Sequence, residues 1–286
     1  MDIEDRDIKI FQETIRESSI YDFSDYSVNS LKRRLSKILE DHKTDARSLN
    51  TRMRTDAGFI ENVVKEITVN TTELFRDPQL WNKLLYQVLP RYNYLSSINI
   101  WHSGCSTGQE VYSMMILLEH LGMLDKSNIY ASDINEDVIE IAKKGVYRYR
   151  FNKDYIKNYD EVFSSIKDSA GKNVSPDSKK YFKIDETKDL IIMQDKLRKK
   201  PVYKKNDLVK DKNLFGIKFD LIICRNVIIY FNYELQNRVL KMFHDNLESK
   251  GCLMLGMHES IIGPYSNIFI KDGQFYFRSR ESDNEY

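Results

Sequence analysis

Apolar residues follow two rhythms along the chain. Up to about residue 90 they recur at helical spacing. Ser27 to Glu40 carries Val28, Leu31, Leu35, Ile38 and Leu39 on one face, with Lys32, Arg33, Arg34 and Lys37 on the other. Phe59, Val63 and Ile67 mark a further helix ending before Val69-Asn70-Thr71-Thr72. Asp77-Pro78 opens another through Trp81, Leu84, Leu85 and Val88. From Ile98 short apolar runs alternate with amphipathic stretches. Ile98 to His102 reads as a strand, followed by a helix through Met114, Leu117, Leu118 and Leu121. Asn128 to Ser132 is a second strand, ending at Asp133, and Val138, Ile141 and Ala142 line the next helix. Phe219 to Cys224 reads as a buried strand, Tyr233 to Leu247 as a helix and Gly251 to Met257 as a strand. Phe269 to Phe277, turning at Asp272-Gly273, reads as a hairpin.

This order predicts an α/β fold, a doubly wound sheet preceded by helices. The expected division is an N-terminal helical domain over 1–90 and a catalytic domain over 91–286. Within the latter, 147–206 departs from the alternation. It is rich in Lys, Asp, Tyr and Ser and contains Pro176 and Pro201. It reads as an inserted small subdomain, with short strands at Thr187 to Met193 and Pro201 to Lys204 and a mobile tip at Lys172 to Lys180. Its interleaved aromatics argue against a disordered linker.

Composition narrows the classes. The chain has 286 residues and a formal net charge of +1, from 44 Lys and Arg against 43 Asp and Glu. That balance neither calls for a polyanionic partner nor excludes one. No apolar run approaches a membrane span, the acidic start is no signal peptide, and Cys105, Cys224 and Cys252 are scattered, so a reducing cytoplasm is expected. The five histidines form no metal-spaced pair, and no metal site is expected.

The chemistry concentrates where the predicted strands end. Ser103 to Gly108 is a small-residue turn between a strand and a helix beginning near Glu110. That arrangement presents backbone N–H groups to a nucleotide-like ligand. The turn lacks G-x-G-x-x-G and places Glu110 where a diphosphate would sit, so a cationic adenosine derivative fits better than a dinucleotide. Gly104 and Gly108 would let that ligand lie close to backbone. Asp133, ending the second strand, can accept from two ribose hydroxyls or N-cap the next helix. Asp207 follows a short strand and can contact an adenine amino group or sit in a surface turn. Arg225 and Asn226, just past the buried Phe219 to Cys224 strand, can hold the ligand or brace the loop. Tyr230 can reach the reacting group or pack under the following helix. Thr72 and Arg76 lie outside the sheet, Thr72 against the cofactor and Arg76 as fixed positive charge for a substrate carboxylate. His258, near a strand end, can support the pocket.

Taken together these segments resemble the chemotaxis receptor methyltransferase family. The resemblance rests on Asn70-Thr71-Thr72-Glu73-Leu74-Phe75-Arg76-Asp77, on Ser103 to Ser113, on Ala131-Ser132-Asp133-Ile134-Asn135, on Cys224 to Phe231 and on Gly256 to Ser260. It spans about Tyr26 to Phe277 and is weakest from Tyr149 to Lys200. It implies an S-adenosylmethionine-dependent methyltransferase-like fold, and methyl transfer to glutamate side chains in the cytoplasmic helical domains of chemotaxis receptors. The products would be glutamyl methyl esters and S-adenosylhomocysteine. It implies a cofactor set of Thr72, Arg76, Gly104, Gly108, Glu110, Asp133, Asp207, Arg225 and Asn226, with Arg76 and Tyr230 catalytic. Glu110 would receive the methionine amino group and Asp133 the ribose. A monomer is implied, with no nucleic-acid partner and no membrane insertion. The basic face of Lys32 to Lys37 is either a solvated face or a surface that docks an acidic receptor helix. Gln109 stands in place of a usual Glu and Val111 in place of a usual Pro. The inserted region diverges, so tethering by a receptor C-terminal peptide is not carried over. The alternatives are a methyltransferase of another protein or of a small molecule, and a non-catalytic cofactor-responsive module.

Overall fold

The computed structural model describes residues 3–68, 70–164, 176–210 and 213–279. Four helices come first: α1 (Asp5–Ser18), α2 (Val28–Asp41), α3 (Ala46–Thr55) and α4 (Ala57–Ile67). Asp45 and Asp56 start α3 and α4 by accepting the Ser48 and Phe59 N–H groups. Each helix buries one apolar stripe in a shared core, with Phe11, Leu35, Met53 and Val63 among its members. The next helix, α5 (Pro78–Lys83), has proline in its first turn and continues in irregular turns to Tyr92. Its Trp81, Leu84, Leu85 and Val88 pack against the sheet, not against α1 to α4. The described residues up to 90 thus feed two cores, one closing at Ile67 and the other opening at Leu74.

The sheet region runs β1 (Ile98–Ser103), α6 (Gln109–His120), β2 (Ser127–Asp133) and α7 (Glu136–Lys144). Next come β3 (Val146–Arg148), α8 (Tyr149–Phe163), β4 (Phe182–Asp185), β5 (Leu190–Met193), α9 (Asp195–Arg198) and β6 (Val202–Lys205). The chain closes with β7 (Phe219–Cys224), α10 (Tyr233–Asn246), β8 (Leu247–Leu255), β9 (Phe269–Asp272) and β10 (Phe275–Arg278). The main sheet has the order β6-β2-β1-β7-β8-β10-β9. Its first five strands are parallel, and β10 and β9 close it as an antiparallel hairpin. The chain moves outward from β1 to β2 and β6, then returns to β7 on the other side. A crevice therefore opens at the carboxyl end of β1, where the order reverses. Helices cover both faces, which is why β1 and β7 are buried at every position but their second, Asn99 and Asp220.

The insert builds its own antiparallel sheet, β3-β5-β4. The strand expected from Thr187 starts at Leu190, because Glu186 to Asp189 forms the turn from β4, with Asp189 at φ 58°. The Pro201 to Lys204 strand is β6, on the edge of the main sheet. Of the tip expected at Lys172 to Lys180, Lys172 to Ser175 lie outside the described residues, and Ser178–Lys180 forms a single helical turn. On α7 the register differs from expectation: Ile139 is buried and Ile141 is exposed.

Candidate functional site

The carboxyl ends of β1, β2 and β7 converge on a cavity of about 340 Å³, within the range of small-molecule sites. Thr72, Arg76, Gly104, Glu110, Asp133, Asp207, Arg225, Asn226 and Tyr230 all line it. Gly108 does not. It has φ +90°, and a Cβ there would lie 2.7 Å from the Ala142 Cβ, so the close approach it permits is of α7 to the turn. Gly104 does border the cavity at φ +79°, and a Cβ on it would strike the Val227 side chain at 2.4 Å. Its lack of a side chain brings the β1 turn against the loop after β7.

The two carboxylates at the ends of β1 and β2 are held differently. Asp133 is buried and accepts from the backbone N–H groups of Ser106 at 2.8 Å and Asn135 at 3.0 Å. It does not cap α7; the Asn135 side chain does, through the Asp137 N–H. Burial pushes the Asp133 carboxyl above its ordinary range, and these N–H groups offset only part of that. Glu110 projects from the first turn of α6, its side chain 12% exposed. His102 Nδ1 lies 3.0 Å from its Oε1 and Arg225 Nη1 3.2 Å from its Oε2. Burial pushes Glu110 upward, but the His102 hydrogen bond and the Arg225 charge outweigh it, and the carboxyl ends below its ordinary value.

Three arginines line the cavity, two of them committed. Arg225, its side chain 1% exposed, reaches Asp77 Oδ2 at 2.7 Å and donates to the Arg76 carbonyl at 2.8 Å as well as to Glu110. It both lines the cavity and braces the loop. Arg34 donates to the carbonyls of Glu66, Ile67 and Thr68, closing the end of α4. Arg76 is half-buried, and its guanidinium makes no hydrogen bond or ion pair among the described residues. Asp207 accepts the Val209 N–H at 2.9 Å in a local turn while facing the cavity.

Backbone strain gathers here. Phe75, Asp77, Ser106 and Asn226, none of them glycine, sit at φ 53°, 57°, 49° and 59°. Glu259 holds the last of these. Its buried carboxylate accepts the N–H groups of Gly256 at 2.7 Å, Asn226 at 2.8 Å and Val227 at 2.9 Å, pinning the loop that carries Asn226 and Tyr230. Burial raises the Glu259 carboxyl, with those N–H groups opposing. The expectation for His258 fails, because that residue is exposed and outside the lining while its neighbour does the bracing. An acid four residues past the end of a buried strand is the available signal. Tyr26, also unanticipated, lines the cavity from the helical side. Ser27 N–H donates to the Tyr230 carbonyl and Asn232 N–H to the Asp25 carbonyl, both at 2.8 Å. That contact joins residues distant in sequence and leaves no periodic trace. The basic face of α2 is partly consumed: Lys32 pairs with Asp5 at 2.7 Å and Arg34 caps α4, leaving Arg33 and Lys37 exposed.

No described helix is long and apolar enough to cross a membrane. The family model for CheR methyltransferase, SAM binding domain, matches residues 70–273. The chain is 34% identical over 267 residues to a putative methyltransferase Cher3 of Pseudomonas putida, covering 93% of each. It is 27% identical over 263 residues to a chemotaxis protein methyltransferase of Listeria monocytogenes, covering 91% of this chain and 92% of that one. A chemotaxis protein methyltransferase of Vibrio anguillarum is 32% identical over 206 residues, 70% of this chain and 68% of the other. A crevice at the sheet's reversal point, lined by two carboxylates in different surroundings, suits the cofactor this family binds. The chain belongs to the CheR methyltransferase family and is an S-adenosylmethionine-dependent methyltransferase.

Proposed function

We propose that the protein methylates glutamate side chains of chemotaxis receptors in the cytoplasm, giving glutamyl methyl esters. The observation that carries this reading is Arg76. It is the cavity-lining guanidinium without a committed partner among the described residues, whereas Arg34 and Arg225 are spent on carbonyls and on Glu110 and Asp77. An available fixed cation suits an anionic acceptor. The described lining also contains no His, Lys or Cys to deprotonate a neutral nucleophile. A glutamate acceptor needs none, being ionised at neutral pH.

When bound, S-adenosylmethionine supplies a methyl group on a sulfonium, which a carboxylate oxygen takes while the sulfur keeps the bonding pair. Glu110 receives the amino group and Asp133 the ribose hydroxyls, with Thr72, Gly104, Asp207, Arg225 and Asn226 completing the cofactor side. Arg76 orients the acceptor carboxylate, and Tyr230 shapes its approach. The contact must align the acceptor without quenching it. Residues 3–67 form the docking unit, with Arg33 and Lys37 of α2 facing an acidic receptor helix, and the rest forms the catalytic unit acting as a monomer. Relatives in Listeria and Vibrio carry the name chemotaxis protein methyltransferase, which supports an acceptor in chemotaxis. Purified receptor cytoplasmic domains should take up labelled methyl and release it as methanol in alkali. Label that survives alkali would refute the ester, and label passing only to other proteins or to small molecules would refute the receptor.

A further inference from the structure

His102 is an ionisable residue at a fully buried position of β1. It sits in β1 between Ala131 of β2 and Ile223 of β7, with no solvent exposure. Its Nδ1 lies 3.0 Å from Glu110 Oε1. Glu110 is ionised and can only accept, so Nδ1 carries the proton and donates. The opposite nitrogen, Nε2, is buried and has no hydrogen-bond partner among the described residues. A buried nitrogen left unmatched is destabilising, and a leucine in that slot would avoid it. What the imidazole gains in return is the single bond to Glu110.

We propose that His102 is a positioning residue for the cofactor's amino-acid end, fixing the Glu110 carboxylate so that its free lone pairs face the cavity. The two oxygens of Glu110 are divided between two donors, His102 on Oε1 and Arg225 on Oε2. Arg225 alone does not set the orientation, because Asp77 and the Arg76 carbonyl share it. With His102 in place the carboxylate is locked on both sides, and the lone pairs left over are those facing the cavity. Without it, Oε1 loses its donor and the side chain turns toward the arginine. The inference rests on the assignment of Glu110 to the amino group, and it predicts a defect confined to ligands that carry that group.

The test uses the full-length protein and calorimetric binding of two ligands. S-adenosylhomocysteine carries the amino-acid end, and 5′-methylthioadenosine lacks it. His102→Leu fills the slot without a donor and should weaken S-adenosylhomocysteine about tenfold, the worth of one hydrogen bond to a charged group. Its affinity for 5′-methylthioadenosine should stay within about twofold of wild type, which also shows that the pocket has folded. His102→Asn offers an N–H near the Nδ1 position and should recover most of the loss. Glu110→Gln is the reference and should show the same ligand split, larger. If Glu110→Gln weakens both ligands equally or neither, the Glu110 assignment fails and this inference with it. If Glu110→Gln splits them but His102→Leu does not, only the positioning role of His102 is overturned. Equal weakening of both ligands by His102→Leu, unrepaired by asparagine, also overturns it and leaves a packing role. Methyl acceptors play no part, so the outcome is independent of which substrate is methylated.

Discussion

Replacing Arg225 by methionine tests how much of the site's order comes from one buried cation. The guanidinium holds Asp77 at 2.7 Å, Glu110 at 3.2 Å and the Arg76 carbonyl at 2.8 Å, tying three segments together. Methionine keeps the bulk and removes the charge, leaving two carboxylates uncompensated. Breaking a buried pair by removing one partner costs about 3–5 kcal/mol. Asp77, 30% exposed on its side chain, can regain water, whereas Glu110 at 12% cannot readily do so. The lower end, about 3 kcal/mol, is therefore expected. For a chain of 286 residues that is a fall in Tm of about 5 °C by calorimetry. Arg225→Lys keeps the charge but cannot span three acceptors and should fall between. Adding Asp77→Asn and Glu110→Gln to Arg225→Met removes the stranded charges and should restore much of the stability, because a fully neutralised site no longer holds an unpaired ion. An Arg225→Met protein melting within a degree of wild type would refute the reasoning, as would a triple variant less stable than the single one.

Three further outcomes follow from the same geometry. Gly104→Ala places a Cβ 2.4 Å from the Val227 side chain at a φ of +79°, so it should lose stability and cofactor affinity, and Val227→Ala should return part of both. Failure of that second change to help, measured by S-adenosylhomocysteine titration, would show that the clash is not the cause. Glu110 has a folded pKa below its unfolded one, so its contribution is present above the ordinary value of 4.5 and disappears as pH falls through the lower folded value. The stability gap between wild type and Glu110→Gln should shrink on acidification, and a gap that widens would reverse the sign. Glu259→Gln leaves one amide oxygen for the Gly256, Asn226 and Val227 N–H groups, at a cost of about 2–4 kcal/mol. Denaturant unfolding checks this, and unchanged stability would mean that the loop holds itself.

Which parts of this molecule a reader of the sequence could reach depended on whether their determinants are local. Apolar spacing carries β1, β2, β7, α6 and α10, because burial on a helix or strand face writes its period into the chain. Asp133 and Glu110 were legible because they follow strand ends, where a doubly wound sheet places its crevice. The strands β3 and β4 were not. They are 3 and 4 residues long, too short to show alternation, and they exist because β5 lies between them. Gly108 was misplaced for a related reason: sequence shows that a glycine is needed, not whether a ligand or a neighbouring helix comes close. The Tyr26, Arg34 and Glu259 contacts bring together elements far apart in sequence and have no spacing to read. His102 did leave a mark, as the one ionisable residue in β1, but its partner Glu110 emerges only when the α6 turn folds back over the strand end.

The contrast between Glu110 and Asp133 bears on how one cavity distinguishes the two ends of one ligand. Both are carboxylates at the ends of adjacent parallel strands, so topology alone does not separate them. Their neighbours do. Asp133 meets backbone N–H groups and no basic side chain among its hydrogen bonds, and burial dominates its energetics. Neutral hydroxyls can add to such a group without any exchange of charge. Glu110 is kept ionised by His102 and Arg225, but Arg225 is itself shared with Asp77, so the arginine's single charge is divided between two carboxylates. The cluster of Glu110, Asp77 and Arg225 thus carries one net negative charge before any histidine contribution. A ligand ammonium would neutralise it, and a second anion would raise the repulsion. If the acceptor is a carboxylate, as proposed, the same accounting would send it elsewhere, to the side of Arg76, the lining arginine with no committed partner among the described residues. Under the proposed assignment, Glu110 would take the cofactor's ammonium and Arg76 the acceptor's carboxylate, so each charged group meets a partner of opposite sign.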